Sequence, residues 1–234
     1  MLNISQYIIM NNGPRALIRY DMKRLTFLLA FVILAVSVSA QDVDGGATTI
    51  LNKLSAKYLA YSTMKIDYTY KCEQNEKVVD TKTGTMTIKG DKYTFVFGNQ
   101  TSFCDGKTLW NYQKDINEVS IFEYIEAEDN LLNPAKILSG WAKEYRSKFI
   151  REESKNGKIL QIIDLMPLKS SSFYKMRLVV DKSKQEIKSI AAYEKGKTIY
   201  TYSIDKLVTN ATLDDASFRF DVKAHPGVDI NDMR

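Results

Sequence analysis

The sequence predicts an α+β chain that is mainly β: an incomplete antiparallel β-barrel, or strongly curved sheet, with a helical lid over its concave hydrophobic face. Three observations lead there. Apolar and polar residues alternate with period two in run after run beyond residue 64. Tight-turn pairs such as Gly90-Asp91, Gly98-Asn99 and Asp105-Gly106 separate those runs. Helical spacing is confined to the head of this region and to one central interruption.

The chain opens with a segment set apart from the fold. Lys23-Arg24 precede an apolar run over residues 25–36, and Ser37-Val38-Ser39-Ala40 then supply small residues before Gln41. That is the layout of a cleaved secretory signal over residues 22–40, with Val38 at −3 and Ala40 at −1. The run is shorter than the roughly 20 residues a spanning helix needs. No Cys follows Ala40, so no lipid attachment is expected there. Residues before Met22 are expected to be an upstream extension, leaving residues 41–234 as one exported domain.

Composition bounds the partners. Arg15, Arg19, Lys23 and Arg24 against Asp21 give the leader +3, so the whole-chain charge of +5 leaves +2 for the rest. A domain so nearly neutral gives no case for nucleic-acid binding. Cys72 and Cys104 invite a disulfide in an exported chain. Their strands lie apart in a meander, and Cys72 sits on an apolar face, so free thiols are expected.

Element by element, Thr48 is a candidate cap for a helix over residues 49–61, with Ile50, Leu51, Leu54, Tyr58 and Tyr61 on one side. Met64, Ile66, Tyr68, Tyr70 and Cys72 then alternate with polar residues as a half-buried strand. Met86 and Ile88 continue the pattern, followed by Tyr93, Phe95 and Phe97, by Trp110 and Tyr112, and by Val119 and Ile121. Alternation lapses over residues 122–147. Pro134 suits a helix start and Gly140 a stop, with Ile137 and Leu138 on its apolar side. Trp141 and Tyr145 suggest another short helix. Strand patterns resume at residues 159–165, at Tyr174, Met176, Leu178 and Val180, at 187–193, at 198–204, and at Phe218, Phe220 and Val222. The tally is about ten antiparallel strands, enough to enclose a small ligand space.

Catalytic chemistry is not legible. His225 is the single histidine, no CxxC occurs, and no Gly-x-Ser-x-Gly elbow is present. Gly106-Lys107-Thr108 and Gly196-Lys197-Thr198 imitate the end of a phosphate loop, but Thr101 and Ala191 stand where the earlier Gly is required. Asp214-Asp215 and Glu126, Glu128 and Asp129 read as solvated charges. No enzyme activity, metal or cofactor is expected.

Four segments carry a family likeness. Asp105-Gly106-Lys107-Thr108-Leu109-Trp110-Asn111-Tyr112, Asn133-Pro134-Ala135-Lys136-Ile137-Leu138-Ser139-Gly140, Leu165-Met166-Pro167-Leu168-Lys169 and Pro226-Gly227-Val228 with a closing Asp232-Met233-Arg234 occur in that order. Together they resemble the LolA family of periplasmic outer-membrane lipoprotein carriers. The resemblance implies a monomeric periplasmic carrier of acylated lipoproteins. Its implied partners are an inner-membrane lipoprotein-releasing ABC transporter and, for delivery, either an outer-membrane acceptor lipoprotein or the outer-membrane bilayer itself. Candidate cavity residues are Tyr93, Phe95, Phe97, Trp110, Tyr112, Met176, Leu178 and Val180; candidate lid residues are Leu51, Leu54, Tyr58, Ile137, Leu138 and Trp141. One departure stands out. Where the family carries a lid-latching Arg, this chain reads Ile88-Lys89-Gly90-Asp91-Lys92, so either a Lys takes a weaker version of that role or the lid is held differently. Two other classes fit the same fold: an RseB-like sensor of mislocalised lipoproteins, and an adhesin-like β domain with a filled core.

Overall fold

A computed structural model of the chain describes residues 44–125 and 133–234. The signal-like leader and the 126–132 stretch, with Glu126, Glu128 and Asp129, lie outside the described residues. Alternation becomes twelve strands in one open, strongly curved sheet. In chain order these are α1 (Gly45–Leu59), β1 (Met64–Gln74), β2 (Lys77–Lys89), β3 (Lys92–Phe97), β4 (Gln100–Cys104), β5 (Thr108–Gln113), β6 (Glu118–Glu123), α2 (Pro134–Glu144), β7 (Tyr145–Lys155), β8 (Lys158–Pro167), β9 (Phe173–Asp181), β10 (Glu186–Glu194), β11 (Thr198–Thr209) and β12 (Asp229–Asp232). The spatial order is β12-β6-β5-β4-β3-β2-β1-β11-β10-β9-β8-β7. Eleven strands form an antiparallel series, and β12 alone pairs parallel, alongside β6.

Four expectations need correction. The first helix starts at Gly45, because the Asp44 carboxylate, rather than Thr48, accepts from Gly46 N and Ala47 N at 2.9 and 3.2 Å. The same carboxylate accepts from Phe149 N at 2.7 Å, so one side chain caps α1 and pins it to the edge strand β7. These amides hold the Asp44 carboxyl below its usual pKa, Phe149 contributing most. Gly140 does not stop the central helix: α2 runs through it as one element, capped by Asn133 with Pro134 at its start. Tyr145 ends α2 and begins β7, so the alternation-free interval is shorter than 122–147. Phe218 and Val222 belong to 3-10 turns, and the last strand is β12.

Curvature comes from bulges. Register shifts occur at Asp67/Tyr68 against β11, at Cys72/Glu73 against β2, at Ile187/Ser189 against β9 and at Phe149/Arg151 against β8. The concave face then buries α1 through Ala47, Leu51, Leu54 and Tyr58, and α2 through Ile137, Leu138 and Trp141. On the convex side the chain end crosses as a strap, burying Phe218 and Phe220.

The approach of β1, β2 and β3 at Gly84 is unusually close. Tyr68 reaches across β2 to donate its hydroxyl to Val96 O at 2.7 Å. A Cβ built on Gly84 would lie 2.2 Å from that same carbonyl oxygen and 2.3 Å from the Tyr68 hydroxyl. Gly84→Ala is therefore expected to lower unfolding free energy by about 2–3 kcal/mol, as overpacking does. Urea denaturation of Gly84→Ala and of Gly84→Ala with Tyr68→Phe tests it. The double variant should gain nothing back, since the carbonyl still blocks the methyl; wild-type stability in either variant would refute the constraint.

Candidate functional site

Strand pairing fixes which side chains face inward. Met64 pairs with Ile88 and Thr209, Ile66 with Met86 and Leu207, and Tyr68 with Gly84 and Ile204. Tyr70 pairs with Lys82 and Tyr202, and Cys72 with Asp80 and Tyr200. Partners in such pairs share a face. The inward face of β3 carries Tyr93, Phe95 and Phe97, opposite Ile88, Met86 and Gly84. Across β11, Tyr202 and Tyr200 face Ile190 and Ala192 of β10, which lie beside Leu178 and Met176 of β9.

The result is a trough with a connected aromatic wall. Tyr68 stacks on Phe95 at 5.7 Å between ring centroids, Phe95 on Phe97 at 6.0 Å, and Tyr70 meets Phe97 edge-on at 4.9 Å and Tyr202 at 5.1 Å. Phe95, Phe97, Tyr200 and Tyr202 are only partly buried, whereas Met176, Leu178 and Val180 are closed off. Desolvation pushes the Tyr68, Tyr70 and Tyr93 hydroxyls upward and Tyr202 up to about 12. These hydroxyls therefore stay neutral at any physiological pH.

Of the predicted cavity residues, Tyr93, Phe95, Phe97, Met176, Leu178 and Val180 share the concave face, and the six lid candidates are buried in that same cluster. Trp110 and Tyr112 do not join them. Phe95 pairs with Ser102, which pairs with Asn111, so Leu109 and Asn111 turn inward while Trp110 and Tyr112 turn outward. There Tyr112 packs against Phe220 at 5.2 Å and His225 at 4.5 Å, under the C-terminal strap. Sequence reasoning missed Tyr200 and Tyr202 as wall residues, although their alternation over 198–204 was visible.

The covering helices are held unequally. At α1, besides the Asp44 cap, the Tyr58 hydroxyl accepts from Ile187 N at 2.9 Å and Lys57 donates to Lys184 O. α2 meets α1 where Ser55 donates to Leu138 O at 2.9 Å, and Lys136 approaches Asp91 at 3.9 Å. A cavity of about 280 Å³ lies between them and the sheet, lined by Tyr58, Tyr61, Met64, Ile88, Asp91 and Lys136 among others. Lys89 and Lys92, the candidates for a latch, point instead to the strap: both bind the Asp215 carboxylate, and Lys89 also reaches Leu213 O at 3.1 Å. Both thiols are free and buried. Among the described residues no grouping of His, Cys, Asp and Glu could hold a metal, and no helix is long and apolar enough to cross a membrane.

Two expected outcomes follow from these placements. Tyr112→Ala should loosen the strap and lower stability by about 3 kcal/mol, as aromatic truncation does, without weakening uptake of a hydrophobic probe. Phe97→Ala should weaken uptake, and equal probe binding by the two folded variants would contradict the assignment of faces. The two lysines hold Asp215 down at about 2 from an ordinary 3.8. A lowered carboxyl pKa contributes stability above its unfolded value that is lost as pH falls through the folded one. Strap anchoring should thus fail between about pH 4 and pH 2, read as faster amide exchange around 213–218; Asp215→Asn should show that exchange already at neutral pH.

A family model described as "Outer membrane lipoprotein carrier protein LolA" matches residues 60–221. A curated protein of Coxiella burnetii (strain CbuK_Q154), named outer-membrane lipoprotein carrier protein, is 25% identical over 217 residues, covering 89% of this chain and 97% of that protein. Among solved structures, an uncharacterized conserved protein from Thermus thermophilus aligns with a TM-score of 0.52 at 10% identity, covering 79% of this chain and 98% of that one. This last likeness concerns the fold alone.

Proposed function

The chain belongs to the LolA family of outer-membrane lipoprotein carriers, and from that membership and the covered trough we propose that it shields the acyl chains of lipoproteins in transit through the periplasm. It would take them from an inner-membrane lipoprotein-releasing ABC transporter and deliver them to the outer membrane, to an acceptor lipoprotein where there is one. The family is one of carriers rather than enzymes. Exposing acyl chains to water costs about 0.8 kcal/mol per methylene, so a multi-chain lipid needs a shield.

The observation that carries the reading is the partly open aromatic wall beside two covering helices. Phe95, Phe97, Met176, Leu178 and Val180 are its proposed acyl contacts. α1, tied at both ends, serves as a fixed wall. α2 serves as the moving cover through Ile137, Leu138 and Trp141: an 11-residue helix is marginal without packing, so its position is set by a balance between helix-on-wall and lipid-on-wall contact.

The test closes α2 covalently. Cysteines replacing Asp91 and Lys136, in a Cys72→Ala, Cys104→Ala background, are joined by a short cleavable thiol cross-linker. Uptake of acylated lipoprotein should fall to background and recover on cleavage. Full uptake by the verified cross-linked protein would remove α2 as the cover. A membrane pull-down that returned a regulatory protein instead of transporter subunits would favour the sensor reading.

A further inference from the structure

We infer that the trough is chemically polarised and that Lys82 with Asp80, at its tyrosine end, reads the polar part of the bound amphiphile, favouring neutral acyl esters and amides over free anionic heads. The inference rests on the carrier reading and specifies the ligand of that same site.

Three adjacent strands carry the same gradient. Along the inner face of β1 the order is Met64, Ile66, Tyr68, Tyr70. With Cys72 next on β1, the residues level with these five are Thr209, Leu207, Ile204, Tyr202 and Tyr200 on β11, and Ile88, Met86, Gly84, Lys82 and Asp80 on β2. On β1 and β2 one end of the floor is therefore aliphatic, and it lies under the cavity between α1 and α2 that Met64 and Ile88 line together with Asp91 and Lys136 from its rim. The other end offers aromatic rings, hydroxyls and then charge. An amphiphile lying along the strands has one favourable direction: methyl ends at Met64 and Ile88, head group at Tyr200 and Lys82. The reverse would lay ester groups against Met64, Ile66, Ile88 and Met86, a stretch of β1 and β2 that offers them no side-chain donor.

The head end is built from a compensated charge. The Lys82 ammonium sits 5.0 Å above the Phe97 ring and binds the Asp80 carboxylate, and both side chains remain about two-fifths exposed at 40% and 37%. An ammonium has three N–H donors; with one given to Asp80, others are free for an acyl carbonyl. Asp80 cancels the attraction that a bare ammonium would exert on a carboxylate or phosphate. The Glu194 carboxylate, 3.4 Å from the Tyr200 hydroxyl, adds a second anion at this end. Repulsion of the wrong ligand is a common source of specificity. Donors facing inward with carboxylates beside them suit a neutral, carbonyl-bearing head.

The experiment measures displacement of a fluorescent hydrophobic probe by mono-oleoylglycerol, by oleate and by a tripalmitoylated lipopeptide, at pH 8 and low salt. Wild type should prefer the neutral ester and the lipopeptide to oleate. Asp80→Asn, checked for native far-UV dichroism, should shift the oleate-to-ester affinity ratio toward oleate by about threefold, the scale of a half-exposed ion pair. Added salt should erode the gain, and Asp80→Asn with Lys82→Gln should abolish it while weakening the ester. A ratio unchanged in Asp80→Asn, with ligands still bound, overturns this inference and leaves the carrier reading standing. Failure of wild type to bind any of the three overturns both. Tighter binding of lipopeptide than of mono-oleoylglycerol assigns the head site to lipoprotein termini, and equal binding assigns it to acyl glycerols generally; either outcome supports the neutral-head preference.

Discussion

A sheet that bends strongly and does not close governs the rest of this molecule. Its ends, β7 on one side and β6 with the four-residue β12 on the other, are not bonded to each other. The chain passes between those ends by the segment that carries α2. A closed barrel of modest size fills its interior with its own side chains. An open one leaves an apolar face that something else must cover, and here two helices do so. The bulges at Asp67/Tyr68, Ile187/Ser189 and Phe149/Arg151 provide the bend, and the absence of a side chain at Gly84 lets the Tyr68 ring lie across β2 onto the backbone of β3.

The two faces are stabilised by different chemistry. Inside, apart from the Lys82–Asp80 pair and the Tyr200–Glu194 contact at one end, contacts are aliphatic and aromatic, and the other polar links serve mainly to fix α1: the Asp44 cap to Phe149 and the Tyr58 hydroxyl to Ile187 N. Outside, links are charged. Asp164, 6% exposed, accepts from Nε and Nη2 of Arg177 at 2.6 and 2.8 Å, while Lys175 lies 4.0 Å over the Tyr193 ring. Asp215 ties the strap to Lys89 and Lys92. A curved sheet thus has a charge-laced convex side that resists rearrangement and a concave side whose contacts are non-directional. Only the second kind could be exchanged for other apolar groups without leaving a buried polar group unpaired.

Much of this was legible in the sequence, and the failures have identifiable causes. Alternation identified β1, β3 and β9 because one face of each is strongly apolar. It could not assign the inward side of β5, where Leu109 and Trp110 are both apolar; that choice depends on pairing through Ser102 and Asn111. β7 is not legible as a strand because Arg146, Lys148, Arg151, Glu152 and Glu153 charge both of its sides, as befits an edge strand. Gly140 looked like a helix stop, yet the helix continues, with Glu144 packed over the glycine so closely that a Cβ there would meet its carboxylate at 2.6 Å. The cap at Asp44 was passed over because its decisive partner, Phe149 N, lies 105 residues away. Local signals found the elements; long-range pairing decided faces and ends.

The direction taken by Lys89 and Lys92 bears on how a cover of this kind works. A guanidinium forked onto helix carbonyls would add directional, charge-assisted bonds to the closed state. Here both cations are committed to the strap on the opposite face. α2 is held instead by the Ser55 contact to Leu138 O, by the long reach of Lys136 to Tyr124 and Asp91, and by its apolar side. Apolar contact energy scales with area and is indifferent to partner. In the proposed carrier, an acyl chain of sufficient length would replace the contacts of Ile137, Leu138 and Trp141 nearly like for like. A cover held in this way would need only a modest difference in contact to change position, which would suit a carrier that must both take up its cargo and give it away.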